Sequence, residues 1–177
     1  MTLSPALFSL AVLAVVLALM LIELRVSHAN ERKLRSAGAI DAPDPVYGTM
    51  RWAYPGCFVA MALEGALWGG PTSIAFWGGL VVFVLGKLFK TWAIVSLGHR
   101  WTYRVLVLPG APLVTRGPYA FMKHPNYIGV IGELAGMAGM TGARVTGWSS
   151  VLFFALLMQR RIVAEERALG IRDAGAP

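Results

Sequence analysis

The segment from Leu3 to Leu24, LSPALFSLAVLAVVLALMLIEL, decides the fold class, because its 22 residues are almost all apolar. As a helix it would be about 33 Å long, and the hydrocarbon core of a bilayer is about 30 Å thick. The whole chain of 177 residues is 56% hydrophobic and only 14% charged, whereas soluble domains average about 25% charged residues. We therefore predict an integral membrane protein that forms one domain over residues 1–177.

Four further apolar segments predict an all-α membrane bundle with about five transmembrane helices. They are Trp52–Trp68, Ser73–Ser96, Tyr127–Met140 and Val145–Met158. Glycine and proline at 69–71 and the segment 141–144 would form the two short turns. The polar segment after Leu24 would continue as a helix to near Gly38, and residues 41–45 would form a loop. The N-terminal segment does not resemble a cleaved signal, because its first basic residue, Arg25, follows the apolar run.

The distribution of the sixteen lysine and arginine residues predicts the orientation. Fifteen lie in residues 25–51, residues 87–123 and the tail from Gln159, and five crossings put these three segments on one side. The two short turns hold only Arg144. Because short basic segments stay in the cytoplasm, we expect the N-terminus outside and the active site in the cytoplasm, in a bacterial inner membrane.

The composition argues against several other classes of protein. The formal charge of +7 is spread between apolar runs, which indicates membrane topology rather than binding to nucleic acid. Cys57 is the one cysteine, so the chain has no disulfide framework and no cysteine-based metal site. The three histidines are too widely scattered for a metal site, and no metal is expected.

Small and basic residues mark particular helix faces. Gly129, Gly132, Gly136 and Gly139 share one face of the fourth apolar segment, which favours close packing against another helix. Lys87 and Lys90 lie toward the end of the third segment, where their side chains could extend to the membrane interface.

The most specific motif is RGPYAFMKHPNY, from Arg116 to Tyr127. It places two tyrosines, a histidine and an amide at the entrance to the fourth segment, with Pro125 beginning a helix. By itself this motif is equally compatible with an interfacial belt of aromatic and basic residues.

The second motif is RRIVAEERAL, from Arg160 to Leu169. Arg161 and Glu165 lie four residues apart, on one face of a helix. Alone, this motif indicates a weak ion pair and an arginine pair that fixes topology more than it indicates a site.

Together the motifs resemble the isoprenylcysteine carboxyl methyltransferase family of membrane enzymes. The likeness covers about Ser96 to Leu169 and rests on LVTRGPY (113–119), KHPNY (123–127), and Arg161 with Glu165-Glu166 and Leu169. Within the family the chain looks most like the bacterial branch that methylates alkylpyrones and phenolic lipids. That likeness rests on GHRWTYR (98–104), VLPGAPLV (107–114) and ELRVS (23–27). Family members usually continue into a Phe-Gly-x-x-Tyr-x-x-Tyr-like tail, which does not follow Leu169 here.

The resemblance implies S-adenosylmethionine as the cofactor, bound on the cytoplasmic side by residues 98–169. Arg161 would hold the acidic head of a lipophilic or prenylated acceptor, and membrane lipids would surround the bundle. The resemblance also implies a functional link to a type III polyketide synthase. Carried over by position, the cofactor-binding residues would be Ala111, Pro112, Leu113, Val114, Tyr119, His124, Pro125, Asn126, Tyr127 and Glu165.

These residue types suit methyl transfer from a sulfonium, in which alignment supplies much of the rate. A carboxylate such as Glu165 can accept from a ribose diol or an ammonium group, and aromatic faces suit a cation. An ionised acceptor needs an arginine clamp more than a general base. Glu133 is a second candidate catalytic residue, since a carboxylate inside an apolar segment is costly. Its alternative role is a structural hydrogen bond, and Glu64 is expected at an interface.

Three functions remain open from the sequence. The first is an S-adenosylmethionine-dependent O-methyltransferase acting on an alkylpyrone or phenolic lipid hydroxyl, or on an isoprenylcysteine carboxylate. The second is an NADPH-dependent membrane reductase of the sterol-reductase kind, whose members share an Arg-His-Pro-x-Tyr-like stretch. The third is a non-catalytic membrane scaffold, which would tolerate replacement of His124, Tyr127, Arg161 and Glu165.

Overall fold

A computed structural model describes residues 4–171 as a bundle of α-helices, so the predicted all-α class is confirmed. Leu3 and Arg172, which the sequence analysis assigned to the first apolar segment and the basic tail, lie outside the described residues, as do the last five residues. The five helices are α1 Pro5–Ser36, α2 Tyr47–Leu67, α3 Ser73–Leu97, α4 Pro125–Thr141 and α5 Val145–Ala168.

The helix α1 extends well beyond the apolar segment that predicted it. Ser4 caps its N-terminus by accepting from the backbone N–H of Leu7. The helix then continues through the polar residues to Ser36, with two basic residues in its last turn that suit the negative end of the helix dipole. About 18 Å of α1 therefore lies beyond Leu24.

The connection after α1 is partly a strand rather than the predicted loop. The strand β1, Ile40–Asp41, pairs antiparallel with β2, Leu106–Val107, in a two-stranded sheet. Arg35 forms an ion pair of 2.6 Å with the Asp41 carboxylate. Two residues per strand are too few to produce an alternating hydrophobic pattern, so the sequence gives no signal for this sheet.

The helices α3 and α4 pack along a seam of glycines, as the small-residue face predicts. A Cβ on Gly132 would lie 2.9 Å from the Cα of Gly86, and one on Gly139 would lie 2.7 Å from the Cα of Gly79. A Cβ on Gly129 would lie 2.5 Å from the Cβ of Lys90. Only glycine allows the two backbones to approach this closely.

The bundle has two chemically different ends. We call the end where α1, α3 and α5 finish and α2 and α4 begin the polar end. The opposite end, with the tight turns at residues 68–72 and 142–144, is the turn end. There the Glu64 carboxylate accepts from the backbone N–H groups of Arg144, Val145 and Thr146 at 2.7, 2.9 and 2.6 Å. Glu64 is therefore buried at the end of the bundle, where it caps α5 from a neighbouring helix.

Exposed aromatic residues ring both ends. Trp68, Trp77 and Trp148 are exposed near the turn end, and Trp52 and Phe121 are exposed near the polar end. On α2 the two levels are about 24 Å apart, close to the thickness of a hydrocarbon core. Tryptophan favours the two interfaces of a membrane, so this arrangement suits a bundle surrounded by lipid.

Two of the described helical stretches are apolar enough to cross a membrane by themselves. They are Pro5–Ser36 and Ser73–Arg100, with mean hydropathies of 2.8 and 1.8. Within residues 4–171 the other helices do not meet the same test of length and hydropathy. The five crossings expected from the sequence therefore stay a prediction.

A buried lysine–glutamate cluster joins α1, α3 and α4. The Lys87 ammonium lies 2.9 Å from carboxylate oxygens of both Glu23 and Glu133. Lys90 lies 2.7 Å from Glu23 and 3.3 Å from Glu133, and its side chain is 1% exposed. The prediction that these lysines extend to the membrane interface is wrong, because the two buried carboxylates pair with them inside the bundle.

Candidate functional site

The two sequence motifs meet at the polar end of the bundle, where α4 begins and α5 finishes. His124 is the N-cap residue of α4, and the buried Pro125 starts the helix. The imidazole Nδ1 lies 3.4 Å from an oxygen of Glu165, and Nε2 lies 3.2 Å from an oxygen of Glu166. Lys123 lies 3.7 Å from the same Glu166 oxygen. Residues about forty positions apart in sequence therefore share one site.

Tyr127 stands between the charged groups of this site. Its hydroxyl donates to Glu165 at 2.5 Å and accepts from the Nε of Arg161 at 3.0 Å. Its ring stacks on the imidazole of His124, with the centroids 5.8 Å apart and the planes 19° apart. We call His124, Tyr127, Arg161 and Glu165 the Glu165 cluster.

Every nitrogen of the Arg161 guanidinium has a partner within the chain. Nε donates to Glu165 at 3.0 Å as well as to Tyr127, and Nη1 lies 2.9 Å from the Asp44 carboxylate. Nη2 donates to the backbone carbonyl of Tyr103 at 2.5 Å. The side chain is 7% exposed, so Arg161 is a buried cation with a partner at each of its three nitrogens.

The electrostatics of the cluster favour ionised groups. Burial alone raises the pKa of Glu165, but hydrogen bonds from His124 and Tyr127 and the charge of Arg161 outweigh it, so the net shift is downward. Burial alone lowers the pKa of His124, but its contacts with Glu165 and Glu166 produce a net rise. Glu165 is therefore a carboxylate near neutral pH, and His124 holds its proton more strongly than an ordinary histidine.

Polar residues of α1 hold the segment that carries Tyr103. The Asn30 amide donates to the backbone carbonyls of Trp101 and Gly98 at 2.8 and 3.2 Å. The Ser27 hydroxyl accepts from the backbone N–H of Tyr103 at 2.9 Å. Arg161 thus receives its Tyr103 contact from a segment that α1 keeps in place.

The same tyrosine connects the site to the interior of the bundle. The Tyr103 hydroxyl donates to Glu23 at 3.2 Å, and Glu23 belongs to the lysine–glutamate cluster. Tyr103 therefore contacts Arg161 through its carbonyl and the buried ion pairs through its side chain.

Residues 79–171 match the sequence profile of the isoprenylcysteine carboxyl methyltransferase (ICMT) family. The chain belongs to this family. The uncharacterized protein YpbQ of Bacillus subtilis (strain 168) is 35% identical over 148 residues, which cover 83% of this chain and 88% of YpbQ. An uncharacterized protein of Haemophilus influenzae is 24% identical over 157 residues, covering 88% of this chain and 91% of that protein. No solved structure matches the chain.

Membership of the ICMT family implies a membrane methyltransferase, and it favours methyl transfer over the reductase function that the sequence left open. The Glu165 cluster lies entirely within the residues that match the family. Asp44 and the polar residues of α1 that support the site precede the match. Part of the candidate site is therefore built by the N-terminal third of the chain, which precedes the residues that match the family profile.

Several other residues predicted to bind the cofactor lie at the polar end but are not members of the Glu165 cluster. Burial and the nearby Glu165 charge raise the pKa of Tyr119, which lies on a short 3-10 helix, Gly117–Ala120. The Asn126 carboxamide oxygen accepts from the indole N–H of Trp101 at 3.4 Å. Ala111, Pro112, Leu113 and Val114 form an irregular, largely exposed loop at the polar end, whose Pro112 carbonyl accepts from Arg100.

Glu133 belongs to the lysine–glutamate cluster and not to the Glu165 cluster. Its side chain is fully buried, and Oε2 accepts from the Tyr54 hydroxyl at 2.6 Å. With Lys87 and Lys90 as its other partners, Glu133 has the structural hydrogen bond that was the alternative to a catalytic role. A role at the reacting atoms stays a prediction.

Sequence reasoning missed Asp44 and Tyr103. Asp44 lies in a segment predicted as a loop, and its side chain is only 6% exposed. A carboxylate between two prolines directly before a helix is a recognisable N-cap signal, and Asp44 does cap α2. Nothing in the sequence indicates that its second oxygen would reach Arg161, because that contact spans more than a hundred residues.

An apolar groove of about 290 Å³ opens between α4 and α5 beside the Glu165 cluster. Tyr127 belongs to both the groove and the cluster. Its lining includes two polar residues, Tyr127 and Gln159, neither of which carries a charge. The remaining lining residues are Ile128, Ile131, Ala155, Met158 and Ile162.

Proposed function

We propose that this protein is a multi-pass membrane enzyme that transfers a methyl group from S-adenosylmethionine to an oxygen of a lipophilic acceptor. Family membership supports methyl transfer in general. The observation that carries the specific proposal is the joining of Tyr127, Arg161 and Glu165 by hydrogen bonds of 2.5 to 3.0 Å at one end of the bundle.

The residues of the Glu165 cluster fit the proposed cofactor. S-adenosylmethionine has a cationic sulfur, an ammonium group, a ribose diol and a carboxylate, and it supplies an activated methyl group when bound. Asp44, Glu165 and Glu166 are three carboxylates grouped around Arg161 and His124. Such a set can accept hydrogen bonds from an ammonium or a diol, and the face of the Tyr127 ring suits a cation.

Each residue has a definite task in this proposal. Glu165 binds donor groups of the cofactor, and the Tyr127 hydroxyl and Arg161 fix the orientation of that carboxylate. His124 closes the cluster from the start of α4. Because alignment supplies much of the rate of an in-line displacement, this fixed network contributes to catalysis by positioning. The other residues proposed to line the cofactor site are Ala111, Pro112, Leu113, Val114, Tyr119, Pro125 and Asn126.

The proposed acceptor is an alkylpyrone or phenolic lipid hydroxyl, or an isoprenylcysteine carboxylate. The groove between α4 and α5 supports a lipophilic acceptor, because it is apolar and reaches Tyr127 from the flank of the bundle. An acceptor could enter by this groove from the membrane while the cofactor arrives from water. A type III polyketide synthase is the proposed source of an alkylpyrone acceptor.

We further propose five crossings of a bacterial inner membrane, with the N-terminus outside and the polar end in the cytoplasm. The alternating helix directions support an odd number of crossings, and the polar end carries almost all the basic residues. The two levels of exposed tryptophan support the same placement. The relatives from Bacillus subtilis and Haemophilus influenzae are bacterial proteins.

A binding titration tests the function directly. Protein purified in a neutral detergent is titrated with S-adenosylhomocysteine and, separately, with NADPH, by isothermal titration calorimetry. The proposal expects saturable binding of S-adenosylhomocysteine, weakened at least tenfold in Glu165→Gln, and no binding of NADPH. Asp41→Asn, which removes an exposed carboxylate at the same end, serves as the control. Binding of NADPH without S-adenosylhomocysteine would contradict the proposal.

A further inference from the structure

Asp44 holds Arg161 from a position that the surrounding chain makes rigid. One carboxylate oxygen accepts from the backbone N–H groups of Val46 and Tyr47 at 3.1 and 3.0 Å, which caps α2. The other oxygen lies 2.9 Å from the Nη1 of Arg161. Pro43 and Pro45 flank the residue and restrict its backbone.

Moving this carboxylate away from Arg161 would have two separate costs. The first turn of α2 would lose its cap. Both Asp44 and Arg161 have side chains less than a tenth exposed, so each would also lose its counter-ion within a buried environment. Asp44 is therefore a partner that Arg161 would lose only at a high free-energy cost.

A further anion at Arg161 would meet this fixed carboxylate. Glu165 already occupies Nε, and the carbonyl of Tyr103 occupies Nη2. An ionised head group there would become the third negative charge on one cation, and like charges at this separation repel strongly in a buried site. An uncharged hydroxyl has no such conflict, because it can both donate to a carboxylate and accept from an N–H group, and the carboxylate can take its proton as the oxygen accepts the methyl group.

We propose that Asp44 is a specificity-determining residue of the acceptor site, which makes the site favour an uncharged hydroxyl head over an ionised carboxylate head. The proposal rests on the proposed function, since it concerns the acceptor of that reaction. The family motifs leave open whether the acceptor is a hydroxyl or a carboxylate. The proposal assigns this choice to Asp44, which lies outside the residues that match the family. The lining of the adjoining groove is compatible with this choice, because its polar residues, Tyr127 and Gln159, are neutral.

The test measures binding of three amphiphiles with one alkyl chain length and different heads. They are an alkylphenol, an alkanoate and the corresponding alkanamide, titrated calorimetrically into the purified protein in neutral detergent without cofactor. The natural protein should bind the phenol and the amide at least tenfold more tightly than the alkanoate. In Asp44→Asn, alkanoate binding should tighten at least tenfold, with phenol binding unchanged within twofold. Asparagine keeps an oxygen that can cap α2, and it replaces the charged oxygen facing Arg161 with a neutral amide NH2 group.

The matched control is Asp41→Asn, three residues earlier in the same segment, where the exposed carboxylate pairs with Arg35. It should leave all three affinities unchanged. An alkanoate that binds the natural protein as tightly as the amide would overturn the proposal, as would weaker alkanoate binding in Asp44→Asn or binding of none of the probes. If Asp44→Asn fails to fold, the comparison of amide with alkanoate in the natural protein decides the question alone.

The methyltransferase proposal is judged separately, by titration of S-adenosylhomocysteine into the same samples. If S-adenosylhomocysteine binds and the head-group preference is absent, only the role of Asp44 fails. If the preference is present and S-adenosylhomocysteine does not bind, the role in head-group selection stands and the cofactor assignment fails.

Discussion

The hydroxyl of Tyr127 on α4 and the carboxylate of Glu165 on α5 lie 2.5 Å apart, and the Nε of Arg161 contacts both of them. This three-way contact brings together residues that the sequence separates by more than thirty positions. It joins two motifs that, taken singly, are compatible with an ordinary membrane interface.

Removing the hydroxyl of Tyr127 should weaken cofactor binding while the helical bundle stays folded. In Tyr127→Phe, Glu165 loses its closest donor and Arg161 loses an acceptor, and a buried polar group left without a partner costs about 1–3 kcal/mol. We expect affinity for S-adenosylhomocysteine to fall about tenfold. Calorimetric titration measures it, with Tyr47→Phe as the control, since the ring of Tyr47 contacts Arg104 outside the cluster. An unchanged affinity would remove Tyr127 from the site.

The stability of the protein should fall as the pH rises above neutrality. The pKa of His124 is higher in the folded protein than its ordinary value near 6.5, so its stabilising contribution is present below that value and is lost as the pH rises through the folded pKa. The thermal unfolding midpoint in detergent, measured from about pH 6 to about pH 9, should therefore decrease, and His124→Gln should flatten this decrease. The control is His28→Gln, at an exposed position of α1. In this variant the unfolding midpoint should decrease with pH as it does in the natural protein.

At acid pH the stability of the protein should fall as the pH falls, because of Glu165. Its pKa is lower in the folded protein than its ordinary value, so its contribution is present above about pH 4.5 and is lost as the pH falls through the folded pKa. The same unfolding series extended to about pH 3 should show a second loss of stability, which Glu165→Gln reduces. A midpoint that keeps rising toward acid pH would contradict the ion pairing of this carboxylate.

The glycine seam should tolerate no added side chain. In Gly132→Ala the new Cβ would lie 2.9 Å from the Cα of Gly86, so the two backbones would have to separate. We expect a loss of about 1–3 kcal/mol in the free energy of unfolding. A matched control is Gly56→Ala on α2, where the added carbon would meet no atom from another part of the chain within 4 Å. This change should stabilise the protein by about 0.5–1 kcal/mol. Equal effects of the two changes would show that the seam is not tightly packed.

The lysine–glutamate cluster should behave as a coupled unit. Lys90→Met leaves Glu133 and Glu23 with Lys87 as their remaining partner from the cluster, and an uncompensated buried charge costs about 3–5 kcal/mol. Adding Glu133→Gln to Lys90→Met should recover part of that loss. A double-mutant cycle on unfolding in detergent measures the coupling, and strictly additive effects would mean that Lys90 and Glu133 do not interact.

Site-directed labelling tests the proposed topology. In a Cys57→Ser background, single cysteines at Thr115 and at Ser73 lie on exposed positions at the polar end and the turn end. In intact bacterial cells, a membrane-impermeant maleimide should label the cysteine at position 73 and not the one at position 115. Labelling of both in opened cells is the control. The reverse pattern in intact cells would invert the orientation.

The apolar segments and glycine spacing of the sequence were sufficient to predict the helices and a closely packed face on α4, but not that its partner is α3. Both depend on the periodicity of an α-helix, which is a local property. The predicted helix ends were less accurate. The helix α1 continues to Ser36 and α2 begins at Tyr47, because capping groups and polar helical residues, rather than hydropathy, set those boundaries.

The site was predictable only where two motifs could be recognised together. His124, Tyr127, Arg161 and Glu165 do meet, as their likeness to one family requires. The burial of Lys87 and Lys90 and the contact between Asp44 and Arg161 were not predictable. In each case the charge is compensated by a residue far away in sequence, and hydropathy alone places such charges at a surface.

The cap that Glu64 places on α5 has a mechanical consequence for the whole molecule. It pins one end of α5 to α2, while α4 is locked to α3 along the glycine seam. If α4 and α5 separate at the polar end, we expect α5 to pivot about its contact with Glu64, and this movement would break the hydrogen bond between Arg161 and Tyr127.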